Sequence, residues 1–247
     1  MRASAAALSL MLWASPALAA DGAAFNVLGY SPDSRYFAFE QYGVQDGSGF
    51  PYWDVFIIDL KSNAWVKDTP VRALLESEDN RPAEARDKAM ATAQPLLQEM
   101  HISEPADILA ANLANEVTAD RSRLAFDRWY VSMGSMPNGR GSDQIRFELS
   151  VEPLALPRSA NCPEDLGENF GLRLTVKDIT AGTSRSLFED KSIPASRGCP
   201  VGYDVAAVVA QSGYPVTDRL VALIGVYSTG FEGAGHRYIA VPFTISD

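Results

Sequence analysis

The sequence predicts a mainly β chain of α+β character, in which antiparallel sheets, blade-like or stacked as a sandwich, carry one helical insertion. Three observations predict it. Short runs rich in aromatic and β-branched residues recur between Gly, Pro and Asn clusters. The stretch 71–115 lacks aromatics and is dominated by Ala, Leu, Glu and Gln, which favours helix. The composition, 47% apolar and 21% charged with 18 Gly and 15 Pro in 247 residues, excludes coiled coil, collagen and a largely disordered polymer.

The chain opens on a segment that reads as an export signal. Arg2 supplies a positive charge, and 3–13 form an apolar stretch too short for a bilayer, which needs about 20 residues. Pro16 breaks it, and Ala17-Leu18-Ala19 is a small-x-small cleavage site with the cut expected before Ala20. Residues 1–19 are thus expected to be a signal peptide. Residues 20–247 are expected to be a single secreted β-rich domain with its helical insertion at about 71–115. No later segment holds 18 continuous apolar residues, so no membrane insertion is expected after leader cleavage. No Cys stands just after the cleavage site, which argues against a lipid-modified lipoprotein. The expected location is periplasmic or secreted.

From Phe25 the pattern is strand, tight turn, strand. Ser31-Pro32-Asp33-Ser34 places proline where a type I turn wants φ near −65°, and Asp33 can bond nearby backbone N–H groups. A strand over 36–42 follows, then a loop at Asp46-Gly47-Ser48-Gly49, then a strand over 53–60 that is apolar on both faces and therefore internal. In the helical insertion Asn80 can cap, Pro82 suits the first turn, and Ala85, Ala89, Leu96 and Met100 recur near the helical period. Pro95 is expected to kink or end that helix, and Ser103-Glu104-Pro105 to start a second, short one. Strands resume over 122–129, 144–152, 172–179, 203–211, 219–227 and 237–243, the last two as a hairpin. Residues 133–142 and 157–169 read as long irregular loops.

The two cysteines, Cys162 and Cys199, each precede proline in loop-like surroundings. An even pair in an exported chain suggests one disulfide, closing a loop of about 38 residues and stabilising by roughly 4 kcal/mol. A zinc site would want further ligands, and His101 and His236 stand far apart in no ligand spacing, so no metal and no cofactor are expected. The formal charge is −10, from 21 Lys and Arg against 31 Asp and Glu, and no basic cluster exceeds pairs such as Arg121 and Arg123. Nucleic acid and acidic membrane surfaces are disfavoured partners.

Three strand beginnings echo one another: Asp33-Ser34-Arg35-Tyr36-Phe37-Ala38-Phe39, Asp120-Arg121-Ser122-Arg123-Leu124-Ala125-Phe126 and Asp218-Arg219-Leu220-Val221-Ala222-Leu223. Their spacing is about twice that of a 40–45-residue propeller blade, so a regular repeat does not follow from it. Tyr30-Ser31-Pro32-Asp33-Ser34-Arg35-Tyr36-Phe37-Ala38-Phe39 resembles the blade opening of TolB-type β-propellers over about ten residues. Taken with the leader and the aromatic hairpin, the chain is similar to a family of bacterial predicted secreted proteins, domain of unknown function 2259. That resemblance implies export and a mostly β domain, and it brings no catalytic residues with it.

The sequence holds no Gly-x-Ser-x-Gly elbow, no Walker loop, no Rossmann fingerprint and no EF-hand ligand series. One constellation carries chemistry. Phe50-Pro51-Tyr52-Trp53-Asp54 and Phe231-Glu232-Gly233-Ala234-Gly235-His236-Arg237-Tyr238 set aromatics beside carboxylates near glycines, where aromatic faces can stack on a ligand and carboxylates can fix polar groups. Tyr52, Trp53, Asp54, Glu232 and His236 are the candidate binding residues. The resulting expectation is a non-enzymatic exported protein that binds an envelope protein or a small ligand. The alternative is a periplasmic carboxylate-based hydrolase built on Asp54, Glu232 and His236.

Overall fold

A computed structural model of the chain describes residues 21–113, 120–132, 141–160, 162–213, 219–230 and 233–245. The expected signal peptide, 1–19, and the candidate Glu232 lie outside these residues. The order is β1 (Ala24–Tyr30), β2 (Tyr36–Val44), β3 (Pro51–Asp59), β4 (Ala64–Trp65), β5 (Val71–Leu74), α1 (Pro82–Glu99), β6 (Ala106–Ala111), β7 (Arg123–Ser132), β8 (Gly141–Ala155), β9 (Phe170–Asp178), β10 (Thr183–Glu189), β11 (Pro200–Gln211), β12 (Arg219–Thr229) and β13 (Ala234–Thr244). Among the described residues the chain is mainly β, with one α-helix inserted among antiparallel sheets.

Three sheets form, ordered β1-β2-β3-β4 with β5 also on β3, β10-β9-β8-β7, and β13-β12-β11-β6. The third is the middle layer. Its β11 and β12 are apolar on both faces, so each face needs a cover. Val221 and Leu223 pack with Phe37, Phe39 and Phe56 of the first sheet. Leu220, Ala222 and Ile224 pack with Leu149, Leu172 and Leu174 of the second. A bulge between Val205 and Ala207 shifts the alternation of β11, so that Ala206 and Ala207 both join the first-sheet side.

Helix α1 covers the outer face of the first sheet, through Ala85, Ala89, Ala93 and Leu97 against Val55, Ile57, Val71 and Ala73. Small alanines at this spacing let the helix approach the sheet closely. Its N-cap is Arg81, whose backbone N–H donates to the Glu84 carboxylate at 2.9 Å, while the Asn80 amide turns back to the Ser77 carbonyl. The helix runs past Pro95 to Glu99, held on both sides of the proline by the buried Ala93 and Leu97.

Of the helical insertion expected at about 71–115 only Pro82–Glu99 is α-helix, and its beginning, Val71–Leu74, is strand β5 because it pairs with β3. Two further expectations are corrected. The segment after Ser103 is strand β6, not a helix: from Ala106 to Ala111 it pairs with β11, and that ladder overrides its Ala-rich helical propensity. The sheets close no propeller, because they stack face to face and share cores. The Ser31 turn that carried the blade resemblance is a local hairpin device, in which Ser31 Oγ donates to Asp33 and Asp33 accepts from the Arg35 N–H at 3.1 Å. The three similar strand beginnings open β2, β7 and β12, which lie in three different sheets.

Cys162 and Cys199 are joined as a disulfide with their Cα atoms 5.1 Å apart. No helix among the described residues is long and apolar enough to cross a membrane.

Candidate functional site

The middle sheet ends at β13, and beside that edge the outer layers leave a groove of about 610 Å³. Its first wall comes from the first sheet. Side chains alternate along β3, so Tyr52, Asp54 and Phe56 face the groove while Trp53, Val55 and Ile57 face α1. Trp65 and Arg72 extend this wall, and the Trp65 side of it is notably exposed. The opposite wall is Phe188 of β10 and the turn Ala195–Arg197. Arg197 in that turn forms an ion pair with the buried Asp190, which also accepts from the Leu172 N–H at 2.8 Å. The disulfide at Cys199 follows at once and anchors this wall.

A polar row crosses the first sheet at Gln41, Asp54 and Arg72, which are register neighbours on β2, β3 and β5. The Gln41 amide donates to Asp54 Oδ2 at 3.0 Å and accepts from the Tyr238 N–H at 2.8 Å, tying the first sheet to β13. Burial pushes the Asp54 carboxyl above the usual carboxylate range, against the opposing pull of Gln41, Arg72 and Arg237. Arg237 stacks its guanidinium 4.3 Å above the Tyr52 ring and pairs with Asp21 at 2.6 Å. A cation over an aromatic face contributes roughly 0.5–2 kcal/mol. The Tyr52 hydroxyl is buried with no hydrogen-bond partner among the described residues, and burial raises its pKa.

His236 faces a different cluster. On the first-sheet side of the middle layer it lies between Tyr227, stacked at 4.5 Å, and Tyr238, edge-on at 4.7 Å. Asp204 sits beside it, accepting from the Tyr227 hydroxyl at 2.7 Å and paired with Arg121 at 3.1 Å. The room for these groups comes from Gly225, where any Cβ would collide with Asp204 Oδ1 and His236 Nε2.

The structure therefore brings Tyr52 and Asp54 together at the groove, with Arg237 from the last hairpin. Trp53 lies on the opposite face, where its indole N–H donates to the buried Glu40 at 2.8 Å and Arg86 of α1 stacks on it at 5.6 Å. That is a helix-docking role. Missed from the sequence were Arg72, Trp65 and Arg197, since they reach the groove from three separate segments. Among the described residues no three His, Cys, Asp or Glu side chains converge as metal ligands would.

A family model described as Predicted secreted protein (DUF2259) matches residues 38–244. No curated protein and no solved structure matches the chain.

Proposed function

This chain belongs to the family of predicted secreted proteins, and from that premise we propose that it is a periplasmic, non-enzymatic binding protein of the cell envelope. Its ligand, an envelope protein or a small molecule, occupies the groove beside β13. One observation carries this reading: exposed Trp65, buried Tyr52, half-buried Asp54, and the cations Arg72 and Arg237 line one concave surface. Ligand sites combine an apolar lining with a few placed polar groups in this way.

A hydrolase reading draws on Asp54, whose raised carboxyl pKa suits a general acid. The second groove carboxylate, Asp190, is already engaged by Arg197 and the Leu172 N–H, so binding is the better supported of the two.

A photo-crosslinking residue placed at Trp65 in exporting cells tests the proposal, with the exposed Ile179 as control. The expected result is an adduct of defined mass from position 65 and none from position 179. No adduct, or equal labelling from both, would overturn it.

A further inference from the structure

The floor of the groove is a strand edge, and its backbone groups can be followed one by one. In β13 the even-numbered residues point their N–H and C=O away from β12. The His236 N–H donates to the Asp21 carbonyl at 2.7 Å, the His236 carbonyl accepts from the Ala23 N–H at 3.0 Å, and the Tyr238 N–H goes to Gln41. Two residues further, at Ala240, the outward N–H and C=O have no hydrogen-bond partner among the described residues. At Pro242 there is no N–H to offer. The chain's own Asp21–Ala23 segment thus already adds itself to this edge, through a parallel bridge at Gly22, and the edge continues uncovered into the groove. Uncovered strand edges are templates for pairing, and proteins ordinarily cap them.

We infer that the groove takes an extended acidic peptide segment as an added strand on β13, pairing with the backbone of Ala240. This rests on the groove being the binding site. Stacked sheets lie about 10 Å apart, so the slot left between the two outer layers has the width of one strand with side chains on both faces. The acidic preference comes from the walls. Among the groove-lining residues Arg72, Arg197 and Arg237 face two carboxylates, Asp54 and Asp190, in a chain of net charge −10. Arg197 is held by Asp190 and Arg237 by Asp21. Arg72 makes no hydrogen bond or ion pair among the described residues, and it is the cation left to meet a ligand carboxylate. Trp65 and Phe56 offer an apolar seat for a neighbouring side chain of the peptide.

The test is selection of a displayed random decapeptide library on the exported protein, then fluorescence anisotropy of the enriched peptides. Ala240→Pro removes only the outward N–H, at a position equivalent to the natural Pro242, whereas Ala240→Ser retains it. Acidic peptides are expected to enrich, to bind Ala240→Pro at least about tenfold more weakly than wild type, and to bind Ala240→Ser within twofold. Arg72→Glu is expected to weaken them about tenfold as well. A scan of backbone N-methylation along the best peptide gives a readout that needs no variant of the protein: binding should fall at alternate residues and survive between them. Failure of any peptide to enrich, binding unchanged by Ala240→Pro, an enrichment indifferent to charge, or an N-methyl scan without alternation would overturn strand addition. Crosslinking at Trp65 then still decides whether the groove binds anything.

Discussion

The Asp204 carboxylate and the His236 imidazole stand 3.7 Å apart above Gly225, on the face of the middle sheet turned toward the first sheet. That separation exceeds a hydrogen bond, so the two are neighbours in a polar pocket that Tyr227 and Arg121 complete. The pocket exists because the central strand has no side chain there. A sequence reading that treats Gly225 as a gap in an apolar run misses that the gap is the seat of two other residues.

Gly225→Ala is expected to destabilise the fold by about 2–4 kcal/mol, since the new methyl must displace the carboxylate or the ring from a close-packed layer. Urea unfolding of the variant checks this. A midpoint equal to that of wild type would show that the pocket is roomier than its contacts imply.

Asp204 also carries a pH signature. Burial pushes its carboxyl up, but His236, the Tyr227 hydroxyl and Arg121 outweigh that and hold it below the ordinary range. A depressed carboxyl stabilises the fold above its unfolded pKa of about 3.9, and that stability is lost as pH falls through the folded value. Asp204→Asn should therefore be less stable than wild type at pH 7, with the gap narrowing below about pH 4. Melting curves of both proteins across that range measure it.

Asp54 has the opposite sign. Its carboxyl is raised, mainly by burial, so the ionised form costs stability above the folded pKa and the cost disappears as protonation proceeds. Asp54→Asn, which still accepts from Gln41, is expected to melt higher than wild type at pH 7 and to converge with it as pH falls toward the usual carboxylate range. A lower melting temperature at pH 7 would mean that Arg72 and Arg237 outweigh burial.

Much of this architecture can be read from residue patterns, and particular residues show where reading stops. The double-faced apolar run of β12 marks an internal strand, and it lies inside the middle sheet. Period-two alternation in Tyr52-Trp53-Asp54 already separates Trp53 from its neighbours, so its turn toward α1 is legible in hindsight. Pro242 inside an apolar strand is likewise the mark of an edge. Strand β6 is not legible, because Ala106–Ala111 has helical propensity and becomes a strand only by pairing with β11, nearly a hundred residues later. Strand β10, Thr183–Glu189, is largely polar and half-exposed, without clean alternation. The groove is a product of three layers meeting, which no local pattern encodes.

Removing the disulfide by Cys162→Ser and Cys199→Ser is expected to cost about 4 kcal/mol, from the loop it closes in the unfolded chain. It should also loosen the Ala195–Arg197 wall, which the Thr229 N–H, donating to the Cys199 carbonyl at 3.1 Å, helps hold. Limited proteolysis with and without reductant reports both effects. Equal resistance in the two conditions would place the bridge outside the wall's support.

Amide hydrogen exchange at three consecutive residues of β13 tests the uncovered edge itself. Ile239 and Val241 bond inward to β12, whereas Ala240 points into the groove. In the ligand-free protein Ala240 is expected to exchange orders of magnitude faster than both neighbours. Protection of Ala240 equal to theirs would contradict a groove floored by a free strand edge.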